Sequence, residues 1–227
     1  HMVIEEFMTG REVSVLSFVD GKTIKTMASA QDHKRAKDGD QGLNTGGMGN
    51  FSPTPFYTKE VDDFCRKYIF QPTVDAMAAE GREFKGVIFF GRMLTPQGPK
   101  VLEYNARFGD PEAQVVLPRM ENDMVEVVEA CIDGRLDQID LKFKEDAAVC
   151  VVLASDGYPV SYEKGLPIRG LENFKGKDGY YVFHAGTKFG PEGQVLTNGG
   201  RVLGVTALGK DLKEARKNAY EAVDWVD

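Results

Sequence analysis

The segment from Gly86 to Gln114 limits what this chain can fold into more than any other. The apolar run Gly86-Val87-Ile88-Phe89-Phe90-Gly91-Arg92-Met93-Leu94 and the run Lys100 to Asn105 are joined by Thr95-Pro96-Gln97-Gly98-Pro99, a link dense in turn formers, which predicts a hairpin. Strand side chains alternate, so Glu103 and Asn105 share one face and Tyr104 takes the other. A carboxylate and an amide oxygen held this way suit a hard cation such as Mg²⁺ (or Mn²⁺), which is seldom caged by protein alone and draws further ligands from phosphates. Taken alone, Glu-x-Asn reads sooner as an ordinary polar strand edge than as a metal site. The residues that follow change the reading: Arg107, then Gly109 for a tight connection, Asp110 where a helix N-cap belongs, Pro111 at the first helical position and Glu112 in the first turn. A guanidinium beside a helix N-terminus is a seat for anions, so the segment predicts a compact site for a metal and phosphates. The structural alternative is that Arg107 braces Asp110.

Charge and composition narrow the partners. Across 227 residues there are 28 basic and 35 acidic side chains, a net acidic balance that argues against a nucleic-acid surface and for a soluble protein. No apolar stretch approaches the roughly 20 residues of a membrane span. Cys65, Cys131 and Cys150 lie far apart without metal-ligand spacing, which predicts reduced, packed thiols of a cytoplasmic protein rather than a zinc or disulfide framework.

The chain divides into two parts of an α+β protein. In the first, Glu12 to Val19 and Thr23 to Ala28 read as strands around an Asp20-Gly21 turn. Gln31 to Tyr57 is long, polar and glycine-rich, which predicts a functional or disordered loop. Thr58 to Glu80 reads as a helix kinked by Pro72. Beyond the hairpin, a helix from Pro111 yields at Pro118 to another from Asn122 to Ile132, with Gly134 as its stop. Polar residues around Asp137 to Asp146 mark a boundary. The second part has strands near Ala147 to Ala154, Tyr180 to Ala185, Gln194 to Thr197 and Arg201 to Ala207, then a terminal helix opened by Asp211 and Glu214. His1-Met2 has the look of an expression scar, and Val3-Ile4-Glu5-Glu6-Phe7 begins at once as a strand.

Arg107 to Gln114, RFGDPEAQ, resembles the signature of the glycinamide ribonucleotide synthetase family within the ATP-grasp superfamily. Ser29-Ala30-Gln31-Asp32-His33-Lys34-Arg35 and Asn44-Thr45-Gly46-Gly47-Met48-Gly49 are similar to that family's substrate and phosphate loops, and His184-Ala185-Gly186-Thr187-Lys188 and Thr197 to Leu203 to its C-terminal domain. The resemblance covers nearly the whole chain. It implies an ATP-grasp C-terminal subdomain over 3–142, an antiparallel sheet with helices, followed by a smaller mixed α/β C-terminal domain over 143–227 that is truncated at its end. An N-terminal domain and the lid half of the ATP-grasp fold, with its phosphate-binding lysine, would be missing. Many ATP-grasp enzymes carry a second acid on the strand before Glu-x-Asn; Gly86 to Leu94 has none, as in the glycinamide ribonucleotide synthetase branch, so Glu103 would carry more of the metal's charge balance.

The resemblance also assigns roles. ATP would lie against a hinge at Glu5, Glu6 and Phe7, with Glu12 accepting from the ribose hydroxyls. Glu103 and Asn105 would hold the metal, and Arg107 the acyl phosphate or the glycine carboxylate. Asp32 would hold the glycine ammonium, with His33 and Lys34 beside it. Arg35, Gly46, Gly47, Met48 and Asp110 would bind substrate. On chemistry alone His33 can shift charge or hydrogen-bond phosphate, or sit in a solvated loop, and the glycine run is either a flexible turn or an anion nest of backbone amides. The implied reaction joins glycine to 5-phosphoribosylamine through a glycyl phosphate, and a chain without lid and N-terminal domain is expected to be inactive. Another ATP-grasp carboxylate-amine ligase or carboxylase, or a non-enzymatic binding domain, is the alternative.

Overall fold

The structure, a computed structural model, describes Met2 and residues 4–227; His1 and Val3, where the scar and the start of the first strand were expected, lie outside the described residues. In chain order the elements are β1 (Arg11–Asp20), β2 (Ile24–Thr26), β3 (Gln31–Asp32), β4 (Arg35–Lys37), β5 (Gln41–Asn44), β6 (Gly49–Ser52), α1 (Lys59–Cys65), α2 (Gln71–Ala79), β7 (Lys85–Thr95) and β8 (Gly98–Asn105). There follow α3 (Ala113–Val116), α4 (Met124–Asp133), β9 (Ala147–Ala154), β10 (Tyr180–His184), β11 (Thr187–Phe189), β12 (Val195–Thr197), β13 (Arg201–Gly209) and α5 (Leu212–Val223). The antiparallel, α+β character expected from the sequence is observed. Among the described residues no helix is long and apolar enough to cross a membrane.

The first unit comprises residues through Ser29, Thr54–Phe108 and Asn122–Leu141. Its antiparallel sheet has the order β2-β1-β7-β8. Val15, Val19, Ile88 and Phe90 share a face, and Cys65, Phe70 and Val74 of the helical segment pack on it. That segment is less regular than a simple proline kink. Residues Arg66–Phe70 form a π-helical turn, with the Gln71 N–H reaching the Arg66 carbonyl five residues back. The irregularity falls just ahead of Pro72, which has no N–H to offer. The β1–β2 turn is held by Asp20: Oδ1 accepts from the N–H of Thr23 at 2.7 Å and of Lys22 at 3.1 Å, and Oδ2 from that of Leu136 at 3.0 Å. Burial pushes this carboxyl upward, but the three N–H groups outweigh it and leave it below its ordinary value. Asp123 caps α4 by accepting from Val125 and Glu126, and Gly134 ends it in the left-handed conformation, φ 70°.

The second unit comprises Ala30–Pro53, Gly109–Glu121 and Lys142–Asp227. Both units are therefore discontinuous, unlike the two consecutive segments suggested by composition. The reason is pairing: β3 and β6, from the stretch expected to be a loop, join β9 and β13 in one antiparallel sheet of order β10-β13-β9-β6-β3. The rest of that stretch forms the β4–β5 hairpin. α5 packs on β13 and β9, with Ala222 against Val205, and α3 contacts β6, β9 and β13.

Two more expectations are corrected here. The helix predicted from Pro111 to Pro118 has α-helical geometry only at Ala113–Val116, and a 3₁₀ turn follows at Leu117–Arg119. Its N-cap residue is Glu112, not Asp110, and makes no side-chain cap bond. The first amides are already satisfied, Ala113 by the Gly109 carbonyl and Val115 and Val116 by that of Glu112, so no free N–H array faces an anion.

Arg119 is the main polar anchor of this unit. At 5% exposure it donates from Nε to the Asp146 carbonyl (2.6 Å), from Nη1 to Ser52 Oγ (2.7 Å) and from Nη2 to the Lys144 carbonyl (3.0 Å). Replacing it with methionine removes three charge-assisted hydrogen bonds from the interior of the unit and is expected to destabilise the protein by roughly 3 kcal/mol, read from the urea midpoint at pH 7. A loss below about 1 kcal/mol would show that water takes over these bonds.

Candidate functional site

In the first unit β8 presents the pair read from the sequence. Tyr104 turns toward the helical side, its ring edge-on to Phe90 at 5.5 Å. Glu103 and Asn105 therefore occupy the opposite face, across from Gly91 and Phe89. A Cβ on Gly91 would lie 2.9 Å from Glu103 Cγ, so the glycine makes room for that side chain. Asn105 Nδ2 is buried without a partner, so it does not tie the amide to the protein. Among the described residues no three His, Cys, Asp or Glu side chains cluster as metal ligands. Two hard oxygen donors with a single carboxylate charge fit a Mg²⁺ that takes its other ligands from phosphates and water. Arg107 is exposed, stacks over Phe89 with Cζ 5.9 Å from the ring centroid, and donates Nη1 to the Phe108 carbonyl at 2.9 Å.

The residues expected to form a hinge strand behave differently. Residues 4–9 are not in a strand, because no strand pairs with them within this chain, and Phe7 is 91% exposed. Glu6 places both carboxylate oxygens 2.7 Å from Lys100 Nζ on β8. Glu5 is exposed, and Glu12 sits at the start of β1 opposite Met93.

In the second unit a different cluster forms around Asp32. A Cβ on Gly47 would lie 2.6 Å from Asp32 Oδ1 and 2.5 Å from Pro111 Cδ, so Asp32 and the RFGDPEAQ turn meet over this glycine, whose φ is +112°. Burial, then the neighbouring Glu112 carboxylate, push the Asp32 carboxyl up to about 7, with Lys34 and Arg201 pulling the other way. Asp110 accepts from Gln114 Nε2 at 3.0 Å and lies 3.3 Å from Arg201 Nη1. The same Arg201 nitrogen donates to the Gly46 carbonyl at 2.8 Å.

The glycine run is not an anion nest. The Gly46 N–H goes to Tyr158 Oη (3.0 Å), that of Gly47 to Thr45 Oγ1 (3.0 Å) and that of Met48 to the His33 carbonyl (2.8 Å). Its glycines serve close approach instead: a Cβ on Gly46 would lie 2.9 Å from Arg201 Cζ. Arg201, Glu112 and Tyr158 are the members of this cluster that sequence reasoning did not assign. The signal for the first two was present, since Arg201 follows the Asn198-Gly199-Gly200 turn and Glu112 lies inside the motif.

Strand alternation separates two residues that are neighbours in sequence. Asp32 faces the cluster, whereas His33 turns to the other side and packs its ring against Phe51 at 5.7 Å. His33, Arg35 and Met48 line a cavity of about 750 Å³ with Lys213, Arg216 and Tyr220 of α5. Arg35 Nη1 is bound to the Gly42 carbonyl at 2.8 Å, closing the β4–β5 hairpin. Lys34 is exposed, with its carbonyl accepting from the Thr45 amide and hydroxyl. His184 meets Thr187 Oγ1 at 3.0 Å.

Residues 1–113 match the family described as phosphoribosylglycinamide synthetase, ATP-grasp (A) domain, and residues 148–227 match its C domain. The chain is 52% identical to a phosphoribosylamine–glycine ligase of Synechocystis over all of its own length and 54% of that protein. It is 48% identical to one of Vigna unguiculata, over all of this chain and 74% of that protein. The crystal structure of phosphoribosylamine–glycine ligase from Thermotoga maritima superimposes with a TM-score of 0.86 at 34% identity, covering 98% of this chain and 54% of that one. The chain spans about half the length of most curated relatives that it matches.

Proposed function

Because the chain belongs to the phosphoribosylglycinamide synthetase family, we propose that the whole protein joins glycine to 5-phosphoribosylamine at the expense of ATP, giving glycinamide ribonucleotide, ADP and phosphate in purine biosynthesis. The observation that carries this reading is the Glu103 and Asn105 pair, side by side on one strand face with Arg107 following and no side chain at Gly91 opposite.

In this account the glycine carboxylate attacks the γ-phosphorus of ATP, ADP leaves, and a glycyl phosphate results. The phosphoribosylamine nitrogen then attacks the carbonyl carbon, phosphate departs with the C–O bond pair, and the nitrogen loses a proton. The carboxylate is already a nucleophile, so positioning and charge neutralisation supply the catalysis. Glu103 and Asn105 would hold Mg²⁺ (or Mn²⁺), which when bound neutralises phosphate charge. Arg107 faces the glycine carboxylate or the acyl phosphate, its guanidinium oriented by the Phe108 carbonyl and the Phe89 ring. Asp32 holds the glycine ammonium, supported by its burial beside Glu112 and by a buried Oδ1 that no protein group satisfies. Arg201 keeps the Gly46–Gly47 turn and Asp110 in place around it. Residues 5–7 and Glu12 take the nucleotide in the protein at the full length of its relatives. His33, Lys34 and Arg35 border the substrate region, Lys34 through its charge near Asp32.

The test is thermal protection of the protein at the full length of its relatives. ATP is expected to raise the melting temperature only with Mg²⁺ present. Equal protection by ATP with EDTA would remove the Glu103 and Asn105 assignment.

A further inference from the structure

Three carbonyl or carboxylate oxygens in the second unit are buried without a protein partner, Asp32 Oδ1, Asn50 Oδ1 and Gln114 Oε1, and the Thr206 hydroxyl opposite Cys150 has none either. They lie on one sheet face. Asp32 stands opposite Asn50, and Asn50 opposite Cys150, so these side chains form a single row across β3, β6 and β9. Gln114 reaches the same face from α3, since a Cβ on Gly204 would lie 3.8 Å from Gln114 Cγ and 3.2 Å from Cys150 Sγ. Its Nε2 is already committed to Asp110 Oδ1 at 3.0 Å, which leaves Oε1 as a fixed acceptor. Asn50 is 2% exposed, so bulk water does not satisfy its amide. Unpaired buried amides cost free energy, and folded proteins fill such positions with a bound polar group or ordered water.

The chemistry of the missing partner follows from the set. Three acceptors, one of them a carboxylate next to the second carboxylate of Glu112, match a group with three N–H donors and positive charge. That group is a primary ammonium. We propose that Asn50 and Gln114 complete, with Asp32, a buried seat for the ammonium of the amino-acid substrate, and that this seat selects a primary amine. The inference rests on the reading of glycine as substrate. With Oδ1 on the ammonium, the Asn50 Nδ2, also without a partner, faces the Asp32 carboxylate across the strand pair. A secondary amine such as N-methylglycine has one N–H fewer and brings a methyl group among buried acceptors.

The experiment uses the full-length protein with Asn50→Leu and Gln114→Met, both close in size to the residues replaced. Each is expected to raise the KM for glycine about 10- to 100-fold, as for a lost hydrogen bond to a charged group, with the KM for ATP within about twofold. The preference for glycine over N-methylglycine should shrink with it. A general loss of fold would instead lower the melting temperature and move both KM values. If Asn50→Leu does not fold, Gln114→Met carries the test. A glycine KM unchanged in the variants would overturn the seat and leave the row as an internal water site. If the wild type ignores glycine, the functional reading fails on its own. The seat is then read by NMR, where methylammonium should lower the Asp32 titration midpoint in the wild type but not in Gln114→Met; no change in the wild type would overturn it.

Discussion

Replacing Asp32 with asparagine is expected to make the protein more stable at pH 8 while removing its use of glycine. In the folded chain burial and Glu112 raise this carboxyl from its ordinary 3.8 to about 7. The sign follows from proton binding. Below about pH 4 both folded and unfolded chains hold the proton, and Asp32 has no effect on stability. Between about pH 4 and 7 the unfolded chain releases it first, so stability falls as pH rises, and above about pH 7 the full penalty is present. A displacement of this size corresponds to roughly 4 kcal/mol at about 1.4 kcal/mol for each pH unit. Asp32 keeps some solvent contact, so a gain of about 2 kcal/mol for Asp32→Asn at pH 8 is the expected figure. Urea unfolding of both proteins at pH 4 and pH 8 reads this difference, and equal stability at pH 8 would contradict it. Turnover should move the other way, because asparagine cannot balance the ammonium charge. Truncating one member of a buried charge pair costs about 2–5 kcal/mol, so glycine kcat/KM should fall about 30- to 5,000-fold.

Glu103→Gln is expected to lower turnover by about 100- to 1,000-fold with little effect on folding. The side chain is exposed and has no protein bond to lose, so its cost appears where phosphate charge must be neutralised. Raising Mg²⁺ should recover part of the loss, since glutamine keeps an oxygen at the same place. Asn105→Leu should act in the same direction, without recovery. An active Glu103→Gln protein, within about threefold of wild type at limiting Mg²⁺, would remove Glu103 from the metal site.

The sequence made some of this legible because the relevant interactions are local. Two alternating strands and a proline-rich link are enough to put Glu103 and Asn105 on one face, and a Gly at 134 is enough to end a helix. The β3 and β6 strands were not legible, since two to four residues carry no period, β3 pairs only with β6, and β9, the other partner of β6, lies about a hundred residues further on. The glycine run misled for a related reason. Its amides are consumed by Tyr158, Thr45 and His33, and the contact with Tyr158 spans 112 positions. Asp32 and His33 point to opposite sides for a reason that alternation supplies immediately, once Gln31–Asp32 is known to be a strand. Residues 5–7, expected to be a strand, are not one here because no strand among the described residues pairs with them, and pairing is not encoded in the residues themselves.

The most direct measurement is ADP release with glycine and freshly generated 5-phosphoribosylamine, comparing this chain with the protein at the full length of its relatives. Release is expected from the full-length protein only with both substrates present, and none from this chain alone. A full-length protein that hydrolyses ATP but responds to neither glycine nor the amine would contradict the assignment of the reaction, and glycine-dependent release by this chain alone would contradict the view that the site needs the full length of the relatives.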